Sequence, residues 1–396
     1  MNQAKKTVLL LALCQALAMT GSIVLFTTAA LIGSMLAADK SLATLPLALL
    51  QLATMLTTIP AAFLLKRWGR KLGFIAGVLV GLSGAGLGSY AVFSGSFVLF
   101  SMATILYGIF NGFVGYYRFA AADVATEAFR SRAVSFVIAG GILAALVGPE
   151  LATRTKDWLP VTFAGGLVTI VLLQILTLLL LSLVDLPPLS QQKHQEHGRR
   201  LGAIVKQPVF IVAVLGSMIG YGVMALLMTA TPLVMVAVHH PFHTAASVIQ
   251  WHVLGMFTPS LFTGYLIARF GVLTIILTGI FFNGLCVAIN LAGTNAPHFF
   301  GALLLLGIGW NFMFIGSTTL LTEAYTPTER AKTQATHDFL MLSFVAFTTF
   351  LSGRLLSDWG WAVVNYTGLV LIAVALIAVL YLRQRLALYP KQIERS

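Results

Sequence analysis

The sequence has little charge, and acidic residues are the scarcest of its charged groups. Only 9% of its 396 residues are charged, with 24 lysines and arginines against 12 aspartates and glutamates. Hydrophobic residues make up 58%, and the mean hydropathy is +0.93. A soluble domain carries about 25% charged residues. A packed core could not absorb this many apolar side chains, so lipid must cover part of the surface.

Cysteine is nearly absent, and several kinds of functional motif are missing. Cys14 and Cys286 both lie inside apolar runs, which argues against a disulfide framework or a cysteine metal site. There is no Walker A loop, no cluster with metal-ligand spacing and no evident Ser–His–Asp constellation. The sequence therefore indicates no ATP-driven mechanism, no metal, no cofactor and no enzyme. The net charge of +12 lies in gaps between apolar runs, which argues against nucleic-acid binding.

The apolar runs are long enough to cross a membrane as helices. Several exceed the ~20 residues that span a bilayer, and backbone in lipid must satisfy its own hydrogen bonds. The first run, Thr7 to Ala37, far exceeds the roughly 7–15 residues of a signal-peptide core, so we expect it to be retained. The sequence predicts an all-α membrane protein with twelve spans at about 7–37, 44–65, 72–93, 97–121, 133–153, 160–184, 208–238, 245–268, 272–292, 298–322, 335–356 and 361–382.

Lysines and arginines set the expected orientation. With the N-terminus in the cytoplasm, most of them fall in cytoplasmic segments, as the positive-inside rule requires. The compact basic stretch KRWGRK, residues 66–71, is then a cytoplasmic anchor between the second and third spans. We expect a multi-pass protein of the bacterial inner membrane, with both termini cytoplasmic and lipid as its surroundings.

The two halves of the chain resemble each other. At offsets of about 200 residues, KRWG (66–69) matches ARFG (268–271), IFN (109–111) matches GWN (309–311), and SRA (131–133) matches ERA (329–331). The polar segment 185–207 separates the halves, and we interpret its His194 and His197 as solvated linker residues. The predicted domains are a six-helix bundle at 1–184, a cytoplasmic linker at 185–207, and a six-helix bundle with a short tail at 208–396.

These features resemble the major facilitator superfamily over nearly the whole chain. Residues 62–71 match the basic half of the family motif G-x-x-x-D-R-x-G-R-K, with Lys66 in place of its Asp; a second copy spans 264–271. The resemblance implies the family fold, two six-helix bundles with pseudo-twofold symmetry, and a cytoplasmic gate. The gate residues it implies are Arg67, Gly69, Arg70, Lys71, Gly264, Arg269 and Gly271, with Asp123, Arg132, Glu323 and Arg330 from the acid-then-arginine segments.

Two further inferences concern coupling. Gly141, Gly148 and Pro149 in the fifth span resemble the family's antiporter motif, the alternative being a bend for helix packing. Ionisable residues inside membrane spans are expensive and functional by default. For proton coupling we expect Glu150 first, then Asp338 and His252. The alternatives are an ion pair of Glu150 with Arg154 or Arg354, a surface pair for Asp338, and a structural role for His252.

The resemblance also implies that spans 1, 4, 7 and 10 line the substrate cavity. Asn111 and Asn311 occupy matching places in the two repeats and could bind a neutral ligand, the alternative being interhelical hydrogen bonding. Arg118 is the one residue there that could hold an anionic group. The cavity candidates are Gln15, Thr20, Ser22, Tyr107, Asn111, Tyr117, Arg118, Tyr221, Met224, Trp310, Asn311 and Ser317.

The function predicted from all of this is secondary active transport by alternating access. We expect a monomer that moves a small amphipathic or aromatic organic solute, with protons as the coupling partner. Proton-coupled export (antiport) is the first direction, because of the Gly-Pro motif. Proton-coupled uptake (symport) of a nutrient, vitamin or metal chelate is the alternative, and an uncoupled facilitator is the third possibility.

Overall fold

The structure, a computed structural model, describes residues 3–186 and 198–388; most of these residues are helical, and none of them lies in a β-strand. The predicted all-α class is therefore confirmed. Ten of the described helices are long and apolar enough to cross a membrane, and one further pair is bent by 44° at a short break.

The first half contains six long helices and one short one. The short helix Tyr117–Val124 follows α4, because the chain turns at Gly115 and Tyr116 rather than continuing. The long helices are α1 Gln3–Leu36, α2 Leu45–Trp68, α3 Arg70–Phe93, α4 Phe97–Val114, α5 Glu127–Thr155 and α6 Ala164–Ser182.

The second half repeats this order with two departures. Helix α7 is Pro208–Ala237; α8 is the bent pair Phe242–Phe257 and Ser260–Phe270; α9 is Val272–Ala292 and α10 is Ala296–Leu321. The long helix Arg330–Leu388 contains one non-helical residue, Gly360, which separates α11 (330–359) from α12 (361–388). Counted in this way the described residues contain twelve spans, as predicted.

Glycines allow α3 and α4 to approach closely. A Cβ atom on Gly81 would lie 2.7 Å from Cγ of Phe110, and one on Gly84 would lie 2.9 Å from the carbonyl oxygen of Ala103. Contacts this short leave room only for hydrogen at the glycine positions. The run of small residues from Gly73 to Gly88 is thus a helix-packing face, as membrane helices use.

The repeat seen in the sequence is also a repeat in backbone geometry. Gly69 ends α2 and begins α3 with φ 81° and ψ 157°. Gly271 ends α8 and begins α9 with φ 84° and ψ 149°. Both glycines follow an exposed aromatic residue, Trp68 and Phe270. The two copies of the motif therefore make the same turn.

The chain forms two compact units. The first is Met1–Gln192 with Thr229–Gln250 and Thr349–Asp358; the second is Lys193–Met228, Trp251–Thr348 and Trp359–Ser396. Within the first unit, the backbone N–H of Gly353 on α11 donates to the hydroxyl of Thr44 at 3.1 Å. The predicted domain boundary stays a prediction, and most of the linker, with His194 and His197, lies outside the described residues.

Candidate functional site

Four aromatic side chains from three helices of the second unit form one cluster. They are Tyr221 on α7, Phe257 on α8, and Trp310 and Phe314 on α10. The rings of Trp310 and Phe314 stack with centroids 5.0 Å apart and planes 7° apart, as i and i+4 positions on one helix face permit. Tyr221 lies edge-on to Trp310 at 5.4 Å and to Phe314 at 6.0 Å, and Phe257 lies 6.5 Å from Trp310. We call these four residues the aromatic cluster.

One buried polar atom in the aromatic cluster has no hydrogen-bond partner among the described residues. Trp310 is 7% exposed, whereas Tyr221, Phe257 and Phe314 are half-buried, so the cluster has an accessible side. The indole Nε1 of Trp310 is buried and has no acceptor among the described residues. An unsatisfied buried donor costs about 1–3 kcal/mol. A flat ligand with an acceptor at its edge would satisfy it.

Small residues bring α7 and α10 together at this point. A Cβ atom on Gly220 would lie 2.9 Å from Cβ of Met313, and one on Gly216 would meet the hydroxyl of Ser317. Ser317 is therefore at the helix contact, and its buried hydroxyl has no hydrogen-bond partner in the described part of the chain. Met224, the remaining cavity candidate on α7, is buried.

Asn311 holds the break in α8. Its amide nitrogen donates to the carbonyl of Met256 and to the hydroxyl of Ser260, both at 2.6 Å. Its amide oxygen accepts from the hydroxyl of Thr263 at 2.7 Å. The side chain is fully buried. These bonds correspond to the interhelical alternative considered for this residue.

Asn111 has a different environment from its repeat partner. It is half-buried, and its amide oxygen accepts from Ser22 on α1 at 3.2 Å. Of the other α1 candidates, Gln15 is half-buried, and the buried Thr20 donates to the carbonyl of its own helix at Ala16, 2.7 Å away. The two asparagines thus have different hydrogen-bond partners, each within its own unit.

The two tyrosine candidates of the first half lie in its core. Tyr107 is 1% exposed and packs edge-on against Phe110 at 5.3 Å. Tyr117 is fully buried and packs edge-on against Phe74 at 4.7 Å. Arg118, next in sequence, is exposed, with its guanidinium 4.8 Å from the ring centroid of Phe119.

Glu150 and His252 both make local contacts. Glu150 is exposed and accepts from Nε of Arg154 at 2.6 Å, one turn along α5, which is one of the ion pairs considered above. His252 is fully buried, and its Nδ1 lies 2.8 Å from the carbonyl oxygen of Leu303 on α10. A carbonyl only accepts, so Nδ1 carries the hydrogen, and the buried Nε2 has no partner among the described residues.

Asp338 belongs to a constellation that the sequence did not reveal. Its carboxylate lies 2.8 Å from Nδ1 of His337, and Nε2 of that ring lies 2.6 Å from the hydroxyl of Ser217 on α7. The Ser217–His337–Asp338 chain of hydrogen bonds has the same order as a Ser–His–Asp catalytic triad. Ser217 is fully buried, however, and no substrate carbonyl can reach it. Ser217 and His337 are 120 positions apart, so nothing local in the sequence links them.

The first copy of the family motif makes its contacts within the first unit. The guanidinium of Arg70 forms an ion pair with Asp123 and donates to the carbonyl of Phe119 at 3.3 Å. Nζ of Lys71 donates to the carbonyl of Ser182 at the end of α6, 2.8 Å away. Arg67 is exposed at the end of α2. The basic residues thus tie α3 to two neighbouring helix ends without the family's Asp.

The second copy keeps the turn but has no acid. Arg269 lies 3.5 Å from the hydroxyl of Tyr265 and 5.3 Å from the ring centroid of Phe270. No ion pair forms at Arg269 within the described part of the chain. The two copies therefore differ in charge pairing while sharing backbone geometry.

The glycine of this turn yields a prediction. Gly69→Ala is expected to destabilise the protein by about 1–3 kcal/mol, because its backbone conformation is accessible essentially to glycine alone. No atom lies within 4 Å of the added methyl group, so the cost is purely conformational. The melting temperature in detergent measures it.

Gly264→Ala is the matched control for that substitution. Gly264 is also a motif glycine with no atom within 4 Å of an added Cβ, but it lies inside a helix with ordinary φ. Alanine there is expected to raise the melting temperature slightly, since Gly in a helix costs about 0.5–1 kcal/mol relative to Ala. Equal effects of the two substitutions would contradict the backbone explanation.

A buried ion pair lies at the α10–α11 connection in the second unit. Glu329 is 1% exposed and accepts from Nε and Nη2 of Arg199, both at 2.9 Å, and from the Arg199 backbone N–H at 2.7 Å. The Arg199 guanidinium holds the pKa of Glu329 well below its usual range. Nζ of Lys332 donates to the carbonyl of Arg199 at 2.6 Å. The chain entering α7 is thereby fixed to the start of α11.

The acid and arginine singled out in the sequence lie nearby but are not this pair. Glu323 and Arg330 are exposed, and neither forms an ion pair within the described residues. Arg132, the first-half counterpart of Arg330, is also exposed. Because the repeat aligns Glu329 with Ser131, comparing the halves could not identify it.

The glycines of the fifth span pack against α1. A Cβ atom on Gly148 would lie 2.7 Å from Cγ2 of Ile23, and one on Gly140 would lie 3.0 Å from the backbone nitrogen of Ala16. Gly141 is buried, and Pro149 lies inside α5. Gly140 and Gly148 therefore have a packing role.

Known proteins share this architecture. The chain is 38% identical over 377 residues to the riboflavin transporter RfnT of Brucella anthropi, covering 94% of this chain and 95% of that protein. It is 27% identical to the uncharacterized MFS-type transporter YddS of Bacillus subtilis, over 96% of this chain and 92% of that one. A solved bacterial homologue of the human lysosomal transporter Spinster superposes with a TM-score of 0.73 at 17% identity, covering 96% of both chains. A POT family peptide transporter gives 0.69 at 14% identity, covering 99% of this chain and 97% of that one.

The twelve apolar spans of the described residues, together with the transporters that the chain matches, make this a multi-pass membrane transporter. The family model of the Major Facilitator Superfamily matches residues 11–257 and 215–395. The chain belongs to this superfamily, and the resemblance drawn from its motifs is confirmed.

Proposed function

We propose that this chain takes up riboflavin, or a closely related flavin, across the bacterial inner membrane. The observation that carries the proposal is the aromatic cluster with the unpartnered indole nitrogen of Trp310. The 38% identical riboflavin transporter supports the same ligand class.

The chemistry of a flavin suits the aromatic cluster. Its ring system is flat, uncharged near neutral pH, and bears carbonyl and ring-nitrogen acceptors at one edge. The half-buried rings of Tyr221 and Phe314 offer apolar surface for stacking, and the Nε1–H of Trp310 offers a donor for a ring carbonyl. Neither α7 nor α10 carries an acidic or basic residue other than His298, so these helices suit a neutral ligand.

Uptake is the proposed direction because a cell gains by concentrating a vitamin. Export is the second candidate, and the Gly148–Pro149 pair on α5 favours it through its resemblance to the family's antiporter motif. The packing of Gly148 against α1 accounts for that residue without export, and we therefore propose uptake before export.

The test uses bacteria that cannot synthesise riboflavin. Cells expressing the chain are expected to grow at riboflavin concentrations too low for cells with an empty vector, and to accumulate labelled riboflavin. Collapse of accumulation by an uncoupler supports coupled uptake; equilibration unaffected by the uncoupler supports a facilitator; lowered cell content supports export. Cells that behave like the empty-vector control would overturn the flavin proposal.

Competition separates ring recognition from recognition of the sugar-alcohol chain. Lumiflavin, which keeps the ring and lacks the chain, is expected to compete with labelled riboflavin. Ribitol, which resembles the chain alone, is expected not to compete. The opposite result would place ligand recognition outside the aromatic cluster.

A further inference from the structure

We propose that Ser217, His337 and Asp338 form a proton-binding site that couples transport to the proton gradient, with the imidazole of His337 carrying the proton. The proposal rests on the proposed function for its substrate and on geometry for the site. Imidazole is the side chain whose charge ordinarily changes between about pH 5 and 8.

The imidazole links two helices from a buried position. His337 on α11 is 1% exposed, with the Ser217 hydroxyl of α7 at 2.6 Å on one side and the Asp338 carboxylate at 2.8 Å on the other. Asp338 has a side chain that is 57% exposed. The carboxylate therefore connects the buried ring to the surroundings of the helix, and a proton can reach the His337 imidazole through it.

Both protonation states of the ring can be satisfied without moving the backbone. In the neutral ring, Nδ1–H donates to Asp338 and the Ser217 hydroxyl donates to Nε2. In the protonated ring, Nε2–H donates to Ser217, whose hydroxyl can turn to the carbonyl of Ala213 at 3.0 Å or of Val214 at 3.1 Å. Gain or loss of a proton thus leaves no buried polar group of this site unpaired.

His252 shows what a buried histidine without this arrangement looks like. Its Nδ1 donates to a backbone carbonyl, and its Nε2 has no partner in the described residues. A proton added there would be buried with neither an acceptor nor a counterion, which is costly. His252 is therefore a natural control in the same unit.

Asp338 is the only charged group that bonds to the His337 ring within the described residues. Helix α7, which packs against the ring through Ser217, carries no acidic or basic side chain and offers Tyr221 as its only tyrosine. On α11 itself, Lys332 bonds to the carbonyl of Arg199. Protonation of the ring therefore changes the net charge of the His337–Asp338 pair from −1 to 0.

Helix α7 connects this site to the aromatic cluster. Ser217 and Tyr221 are four residues apart, which is about 6 Å along the helix. Gly222 follows, and a Cβ atom there would lie 2.6 Å from Cδ1 of Phe344 on α11, so the two helices are in close contact. A change in the bond between His337 and Ser217 therefore acts on the helix that carries Tyr221.

The first experiment needs no ligand. Protein with ring-labelled histidines is titrated between about pH 5 and 8 by NMR in detergent, and His337→Gln identifies the resonance. We expect the chemical shifts of the His337 ring to change over this range in the wild type and to respond differently in Asp338→Asn, which removes the counterion. Asp338 is largely exposed, so this variant is expected to fold even if His337→Gln is damaged. A His337 signal that stays constant over this range would overturn the proposal.

The second experiment tests coupling on the purified protein. Riboflavin added to the wild type in weakly buffered detergent is expected to cause proton uptake, which is lost in His337→Gln and kept in His252→Gln. A signal that persists in His337→Gln overturns the site. Riboflavin binding without a proton signal in the wild type overturns the coupling and leaves the flavin proposal intact. No binding of riboflavin, with a titrating His337, overturns the flavin proposal alone.

Discussion

Replacing Glu329 with glutamine is expected to lower the free energy of unfolding by about 2 kcal/mol, since charged hydrogen bonds contribute roughly 1.5–3 kcal/mol. The carboxylate accepts from the side chain and backbone of Arg199 and from the backbone N–H of Thr326. Glutamine is neutral and offers one acceptor oxygen in place of two. The melting temperature in detergent gives the measurement.

The same carboxylate gives a pH dependence of definite sign. Because the pKa of Glu329 is depressed in the folded protein, its stabilisation is complete above the ordinary carboxyl value of about 4.3. It is lost as the pH falls below that value toward the folded pKa. The difference in melting temperature between wild type and Glu329→Gln is therefore expected to shrink on acidification below about pH 4.

Glu323→Gln is the matched control. Glu323 lies six residues earlier, is exposed, and forms no ion pair in the described chain. Desolvation raises the pKa of Glu323, so replacing its carboxylate with a neutral amide is expected to leave the melting temperature unchanged or slightly higher near neutral pH, opposite in direction to Glu329→Gln. If Glu323→Gln destabilised the protein as much as Glu329→Gln, the buried pair would not be the source of the effect.

The helices could be predicted from the sequence because lipid leaves the backbone few choices. Long apolar runs must be helical, so the twelve spans follow from composition and length. The bend in α8 could not be predicted as simply, since 245–268 is one continuous apolar run. Pro259 was the available signal. Asn311, on another helix, supplies the hydrogen bonds at the break, and that partner is visible only after folding.

The candidate site was predicted in part, and the missing part consists of distant pairs. Tyr221 and Trp310 were identified singly, but their cluster with Phe257 and Phe314 depends on how three helices pack. Arg199 and Glu329 are 130 residues apart. Comparison of the two halves could have identified such a pair only if both halves contained it.

Asp338 was identified from the sequence, but its hydrogen-bond partner was not. Its charge inside a span drew attention, as charges in lipid should. The sequence offered surface cations as partners, whereas the structure supplies the adjacent His337. The ring reaches Ser217 because α7 and α11 pack side by side, a neighbour relation that hydropathy does not encode.

Replacing Trp310 with phenylalanine is expected to weaken riboflavin binding about tenfold, or roughly 1.4 kcal/mol. Phenylalanine keeps an aromatic ring beside Phe314 and Tyr221 but removes the Nε1–H donor. That donor has no acceptor among the described residues, so its removal breaks no hydrogen bond seen in the unliganded state. The melting temperature without ligand is therefore expected to fall only by the cost of the lost ring volume. Riboflavin fluorescence quenching, titrated against purified protein, gives the affinity.

Trp361→Phe makes the same chemical change where the indole nitrogen already has a partner. Its Nε1 donates to the carbonyl of Asn290 at 3.3 Å in the same unit. That variant is expected to lose more stability than Trp310→Phe, because it also loses a hydrogen bond, and to keep riboflavin affinity. The crossed pattern separates a donor held for a ligand from a donor used in folding. Unchanged affinity in Trp310→Phe would mean that the ligand does not use this donor, and the flavin ring would have to bind elsewhere.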